Sequence, residues 1–117
     1  MNIFSLILSF VMSITPPSSF RCDGELLTPI IRNNLNGDFA LVKDLEKVDE
    51  GAFAVLQWNG VSLMLPVSFQ KGEISFTDKK WLWSYKDNRN GLHEEYPRFS
   101  ELLPSGRVIE HSCEPLL

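Results

Sequence analysis

The order of apolar and polar residues along the chain favours short β-strands. In "AVLQWNGVSLML", residues 54–65, two largely apolar runs flank Asn59-Gly60. Asn-Gly between such runs is the preferred sequence of a type I′ turn, because both central residues need a positive φ. The segment therefore predicts a β-hairpin, and Pro66 is expected to end its second strand because proline donates no hydrogen bond to the ladder. The apolar positions on one face of its strands are Ala54, Leu56 and Trp58, and then Val61, Leu63 and Leu65.

A second hairpin is predicted in the aromatic-rich segment 73–85. A polar turn occupies residues 77–80, and the chain returns through Trp81, Trp83 and Tyr85. Because these rings are spaced two residues apart, they share one face of a strand. We interpret them as core residues, since each aromatic side chain buries roughly 150–250 Å². A surface that stacks on sugar rings or recognises a protein is the alternative.

Weaker signals of the same kind precede the first hairpin. The chain there predicts a short strand, a turn at Asp23-Gly24 and a second strand interrupted by Pro29. Residues 39–42 predict a further strand followed by a charged loop, and a helix of one or two turns over residues 43–48 is the rival interpretation.

The C-terminal part continues this pattern. Residues 86–91 predict a loop, the segment 92–103 is ambiguous, and a final strand within 103–113 is expected to end at the cysteine. Several short strands separated by turn residues indicate an all-β fold, namely a small antiparallel β-barrel or sandwich.

The N-terminal segment 1–20 differs from the rest, because all eleven Lys and Arg and all fifteen Asp and Glu follow it. Residues 3–14 form an uncharged, mainly apolar run that is shorter than the roughly twenty residues needed to span a bilayer. Two prolines and two serines follow, an order typical of a secretory signal peptide. We predict a signal peptide over 1–20 and a domain over 21–117, with no transmembrane span after cleavage. A buried N-terminal helix or strand of a cytosolic protein is the alternative.

Two cysteines bracket the domain, Cys22 near its start and Cys113 near its end. In an exported protein such a pair indicates one disulfide. Closing a loop of about 90 residues would stabilise the fold by roughly 4–5 kcal/mol in the chain-entropy model. Two unpaired, buried thiols are the alternative if the chain is not exported.

Charge and polar residues argue against several classes of function. A net charge of −4 without a cluster of Lys and Arg argues against nucleic-acid binding. His93 and His111 lie beside glutamates, but adjacent residues on a strand face opposite ways, so we assign both histidines to solvated polar loops. The spacing of possible ligands fits no metal site, and the sequence contains no nucleophile–base motif or phosphate-binding glycine loop. We therefore predict no catalytic residues, metal or cofactor.

The layout of residues 20–113 resembles the membrane-bound and periplasmic inhibitors of C-type lysozyme from bacterial envelopes. The shared features are an aromatic-x-Cys opening at Phe20-Arg21-Cys22 and a lone closing cysteine. Between them come a hairpin followed by Leu65-Pro66, a glycine-containing loop at Gly72 and an aromatic-rich strand through Trp83. The resemblance implies an eight-stranded antiparallel barrel closed by a disulfide of this type. It also implies a loop that enters the active-site cleft of lysozyme.

The resemblance locates that loop in this chain. The family motif reads Ser-Gly-x-x-Tyr, and the corresponding stretch here is 71–75, with an aromatic ring one residue later. The family's Trp-x-Lys-Gly corresponds to residues 83–86. The resemblance therefore implies that a partner binds at Lys71, Gly72, Glu73, Ser75, Phe76 and Lys86.

The interpretation that follows is an exported, non-catalytic binding protein, periplasmic or secreted, whose partner is a lysozyme-like glycan hydrolase. One alternative is a module that binds an envelope glycan or peptide through exposed rings such as Trp58 or Tyr85. Another alternative is an accessory subunit of an envelope complex, which a large exposed apolar patch would favour.

Overall fold

The structure is a computed structural model of the 117-residue chain, and it describes residues 19–70, 73–87, 91–92 and 97–116. Residues 1–18 of the predicted signal peptide lie outside the described part. Phe20 belongs to the first strand and is buried, so the folded domain includes a residue that precedes position 21.

The described chain is built from short β-strands and one turn of 3-10 helix, as the sequence pattern predicts. The strands are β1 (Phe20–Cys22), β2 (Glu25–Arg32), β3 (Phe53–Trp58), β4 (Val61–Gln70), β5 (Glu73–Thr77), β6 (Trp81–Ser84), β7 (Lys86–Asp87), β8 (Gly91–Leu92), β9 (Arg98–Leu102), β10 (Val108–His111) and β11 (Cys113–Pro115), and the helical turn is Leu45–Lys47. No helix in the described part of the chain has the length and apolar character needed to cross a membrane.

Nine of the strands form one antiparallel sheet in the order β10-β9-β6-β5-β4-β3-β2-β1-β11. The two outermost strands of this order are consecutive in the chain and are separated only by Ser112. At this seam the Asp23 amide donates to the Ser112 carbonyl at 2.9 Å, and the Ser112 amide donates to the Asp23 carboxylate at 2.9 Å. The sheet is therefore a nearly closed barrel, and β7 and β8 form a separate two-stranded pair.

The predicted disulfide is confirmed. Cys22 and Cys113 lie directly opposite each other in the β1–β11 pair and are bonded across 91 positions of sequence. The alternative of two unpaired thiols is therefore wrong. The bond ties the first strand of the barrel to the last.

The predicted hairpins are also confirmed. Asn59 and Gly60 connect β3 to β4 with φ values of 49° and 78°, as a type I′ turn requires. Asp23 and Gly24 connect β1 to β2 with φ values of 50° and 85°. The segment 73–85 forms the β5–β6 hairpin.

The expectation that Pro66 ends its strand is wrong. Strand β4 continues to Gln70, pairing with β3 as far as Pro66 and with β5 from Val67 onward. Pro66 is therefore the last β4 residue in the β3 ladder, and the next amide, that of Val67, donates to the Ala52 carbonyl at 2.9 Å. A residue without an N–H is tolerated here because the strand is changing partners.

Two other expectations need correction. The strand over 39–42 reduces to a single bridge between Arg32 and Leu41, and the rival helix forms only as the 3-10 turn. Asp44 caps that turn, accepting a hydrogen bond from the Glu46 amide at 3.0 Å. The final strand does not end at the cysteine, because β11 continues to Pro115 in order to pair with β1.

Aromatic rings fill the barrel, so the core interpretation of the Trp-rich segment is confirmed. Phe76, Trp83 and Phe99 are neighbours across β5, β6 and β9, and all three are fully buried. Trp58 and Tyr85 are only 8% and 5% exposed, so the expectation that these two rings are exposed is wrong. The Trp58 indole instead donates to the Cys22 carbonyl at 2.9 Å inside the barrel.

Candidate binding surface

The loop implied by the lysozyme-inhibitor resemblance connects β4 to β5. Residues 67–70 of β4 pair with 73–76 of β5, so the predicted contact residues occur at the end of a hairpin. Lys71 and Gly72 lie outside the described residues, and only the backbone is described for Glu73 and Lys86. Their part in binding stays a prediction.

The two other predicted contact residues face away from solvent. Phe76 has no exposed surface, and Ser75 is 4% exposed. Phe76 pairs with Trp83 in the aromatic core, whereas Ser75 pairs with Ser84, which is also buried. The exposed ring at this hairpin is Phe69, which pairs with Ile74 and is 50% exposed.

A strip of apolar side chains lies on the outer face of β2, β3 and β4. Ile30 pairs with Val55, which pairs with Met64, so the three side chains form one row across the strands. Ile30 is 39% exposed and Met64 is 65% exposed. Their neighbours in sequence face the barrel interior, which places this row outside. We call this surface the outer strip, and its members are Ile30, Phe39, Leu41, Phe53, Val55 and Met64.

The connection between β2 and β3 extends the outer strip. Phe39 packs edge-on against Phe53, with ring centroids 6.1 Å apart. Its backbone is in the left-handed region at φ 51°, a conformation that costs a non-glycine residue on the order of 1–3 kcal/mol. The Arg32 guanidinium donates to the Phe39 carbonyl at 3.1 Å and holds this conformation. An aromatic ring is thus fixed on the surface at an energetic cost.

Polar contacts hold the rest of that connection in place. The Asp49 carboxylate accepts hydrogen bonds from the Gly51 amide at 2.9 Å and the Leu35 amide at 3.2 Å. The Asn33 side chain donates to the Lys47 carbonyl and accepts from the Asp49 amide, at 2.9 and 2.8 Å. The outer strip is therefore pre-formed, which lowers the entropic cost of binding.

Sequence reasoning did not identify the outer strip, although a signal was present. In β2 and β3 apolar residues occur at consecutive positions, as in "ELLTPIIR" and "FAVLQW", instead of strictly alternating with polar ones. Such runs indicate a strand whose two faces are both apolar. One of these faces is solvent-exposed here.

A second polar arrangement lies at the seam. The His111 Nδ1 atom is 2.6 Å from the Asp23 carboxylate, and the imidazole packs among the rings of Trp58, Trp81 and Phe99 at centroid distances of 4.7, 6.2 and 5.1 Å. The expectation that His111 lies in a solvated loop is therefore wrong, because its side chain is only 10% exposed. Its Nε2 atom is buried and has no hydrogen-bond partner among the described residues.

The seam pair changes the electrostatics of Asp23. The hydrogen bond from His111 holds the pKa of the Asp23 carboxyl below its ordinary value, and the Ser112 amide lowers it further. Glu110 faces the other way and forms a 2.7 Å ion pair with Arg98, and this hydrogen bond lowers the pKa of Glu110 as well. The prediction that Glu110 and His111 face opposite ways is confirmed.

Metal binding at the predicted histidines can be assessed only in part. The described residues contain no group of three or more His, Cys, Asp or Glu side chains able to hold a metal ion. His93 and its neighbouring glutamates lie outside the described residues.

Comparison with protein-family models gives a match. The model of a family described as a domain of unknown function, DUF8671, matches residues 30–113, from within β2 to the second cysteine of the disulfide. No curated protein and no solved structure matches the chain.

Proposed function

This chain belongs to the DUF8671 family, whose function is unknown, and we propose that it is an exported, non-catalytic protein that binds another protein through the outside of its barrel. The observation that carries the proposal is the outer strip, since exposed apolar patches of this kind mark interaction sites. Aromatic side chains fill the interior of the barrel, which leaves its exterior as the surface available for a partner. This supports the same conclusion.

Export is supported by the disulfide, because such bonds persist in oxidising compartments such as the periplasm and the extracellular space. Phe20 packs against Trp83 at 5.5 Å, and the Ser19 carbonyl accepts a hydrogen bond from the Leu116 amide. Signal-peptide cleavage is therefore expected before Ser19, so that both residues are retained. The intact mass of the exported protein checks this expectation. A mature chain that begins at Phe20 or later, or a mass without the loss of two hydrogens, would contradict it.

The partner that we propose is a lysozyme-like glycan hydrolase, engaged at the end of the barrel where β4 meets β5. Phe69 is exposed at the hairpin that the family resemblance implies as the contact. Pro66 is three residues earlier in the same strand, about 10 Å away, and pairs with Phe53 of the outer strip. The hairpin and the outer strip therefore lie close together along β4, so that a partner large enough to cover both could contact them together.

A lysis assay tests this proposal. Purified, oxidised protein at micromolar concentration is expected to slow the clearing of a cell-wall suspension by a C-type lysozyme. Phe69→Ser should weaken inhibition about tenfold, a loss of about 1.4 kcal/mol of binding free energy. Met64→Ser is the matched variant on the outer strip, since both residues are at least half exposed and neither change should unfold the barrel.

The results separate the possible contacts. Loss of inhibition in Phe69→Ser alone assigns the contact to the hairpin, and loss in both variants extends it to the outer strip. If the unaltered protein does not inhibit at micromolar concentration, the lysozyme-like partner is wrong.

A second candidate function is an accessory subunit of an envelope complex, and the outer strip specifically favours it. We propose that the outer strip packs against the apolar face of a different envelope protein, with its six residues forming only part of the roughly 20–30 residues per side of a stable interface. A photo-crosslinking residue at position 64 should form one discrete product in the native envelope, and the same residue at position 107, an exposed site in the β9–β10 turn, should not. A product of twice the chain's own mass, or equal products from both positions, would contradict this candidate.

A further inference from the structure

A groove of about 360 Å³ lies at the end of the barrel where β3 turns into β4. Small-molecule sites usually fall between about 300 and 1,000 Å³, so the volume suffices for a compact ligand. The side chains that line it come from β2, β3, β4 and the Asn-Gly turn, and they are Leu26, Gln57, Trp58, Asn59, Val61 and Ser62.

The side chains that line the groove are uncharged, and they favour an uncharged ligand. Gln57, Asn59 and Ser62 are exposed, and their side chains form no hydrogen bond with any described residue. Amide and hydroxyl groups both donate and accept, so they complement a ligand that carries donors and acceptors on the same small unit. None of the described residues that line the groove carries a charged side chain, so an ionised ligand would find no counter-charge among them.

Apolar groups complete the groove. Leu26 is 57% exposed and Val61 is 36% exposed, and both lie beside the polar groups. The combination suits a molecule that has hydroxyls around its edge and C–H groups on its face, as a pyranose ring has.

An extended peptide fits this position less well. Sheet proteins usually bind such peptides by adding a strand to a free edge. Both β3 and β4 already have a partner on each side, so neither offers an edge near the groove.

We propose that this groove binds a neutral oligosaccharide. The site is separate from the β4–β5 hairpin of the proposed function, because the groove lies at the Val61 end of the ten-residue strand β4 and the hairpin at its Gln70 end, about 30 Å away. Variants at one site are therefore not expected to affect binding at the other, so the two proposals can fail independently.

Tryptophan fluorescence of the oxidised, full-length folded domain provides the test, because Trp58 contributes to the groove lining. Tri-N-acetylchitotriose and maltotriose are titrated to 10 mM as probes, with an uncharged, end-blocked trialanine peptide as the competing class. At least one sugar is expected to give a saturable change. The double variant Gln57→Ala with Ser62→Ala should weaken its binding about tenfold, since it removes two hydrogen-bonding groups worth on the order of a factor of three or more each.

The matched control is Asn36→Ala, which removes an exposed amide from the β2–β3 connection at the other end of the barrel. It should leave the affinity for the sugar unchanged. The proposal is overturned if neither sugar binds, if the double variant binds as well as the unaltered protein, or if the peptide binds in the groove more tightly than both sugars. Urea denaturation of each variant confirms that the barrel remains folded.

Discussion

Asp23 is the residue at which acidity acts most directly on the seam of the barrel. Its carboxylate accepts hydrogen bonds from His111 and from the Ser112 amide, and these lower its pKa from the ordinary value of 3.8. A carboxyl group whose pKa is lower in the folded state contributes stability above the unfolded-state pKa. That contribution is lost as the pH falls through the folded-state pKa. The seam should therefore weaken below about pH 4.

Replacing this carboxylate tests the linkage. Asp23→Asn should lower the free energy of unfolding at pH 7, and the difference from the unaltered protein should shrink toward pH 3. Asparagine tolerates the left-handed backbone at this position, so the turn itself is retained. Urea denaturation between pH 3 and pH 7 measures the effect. Glu50→Gln, on a carboxylate with no hydrogen bond or ion pair to the described residues, should follow the unaltered protein throughout, and an equal response in both variants would refute the linkage.

The contact between Asp23 and His111 could not be predicted from the sequence. The two residues are 88 positions apart, and no local pattern connects them. Their contact exists only because β10 and β11 close the barrel beside the β1–β2 turn. By contrast, the opposite orientations of Glu110 and His111 followed from strand geometry alone.

Among the elements, the β3–β4 hairpin depends on one glycine. Gly60 has φ 78°, and a Cβ atom there would meet no heavy atom within 4 Å. Substitution therefore affects only the backbone conformation. Gly60→Ala should lower the free energy of unfolding by about 1 kcal/mol, and Gly60→Asn by less, because asparagine adopts positive φ more readily. Equal losses in the two variants, measured by urea denaturation, would show that side-chain packing and not φ is responsible.

Elements encoded by short-range patterns were predictable, and those that depend on partner strands were not. The Asn-Gly turn requires only its own residues and its flanking runs. The continuation of β4 through Pro66 depends on Ala52 and β5, which are distant in sequence. The connection between β2 and β3 was similarly ambiguous, because Asn33 and Asp49 hold it together from its two ends.

At the scale of the whole molecule, the disulfide and the seam hydrogen bonds close the same gap. The bond spans 91 residues, for which the chain-entropy model gives about 4–5 kcal/mol of stabilisation. Reduction should lower the free energy of unfolding by that order, and thermal unfolding with and without reductant measures the change. Cys22→Ser with Cys113→Ser should behave like the reduced protein and should not respond to reductant. A loss below about 1 kcal/mol would mean that the reduced chain keeps the barrel closed by itself.

The all-β fold and its covalent closure were predictable because the strand pattern and the two cysteines are properties of the sequence as a whole. The candidate binding surface was less accessible, since exposure is decided by which elements cover which faces. Ser75 and Phe76 illustrate this, because a resemblance in sequence layout assigned them to a contact loop and the fold buries both.

The strands after Leu102 form both sides of the seam, because β10 pairs with β9 and β11 pairs with β1. In a nascent chain that lacks Cys113, the barrel is therefore open, the Cys22 thiol has no disulfide partner and the tryptophan side chains contact water. The barrel therefore cannot close until nearly all of its strands are present. We expect C-terminal truncations to be degraded or to aggregate before any change in binding could be measured on them.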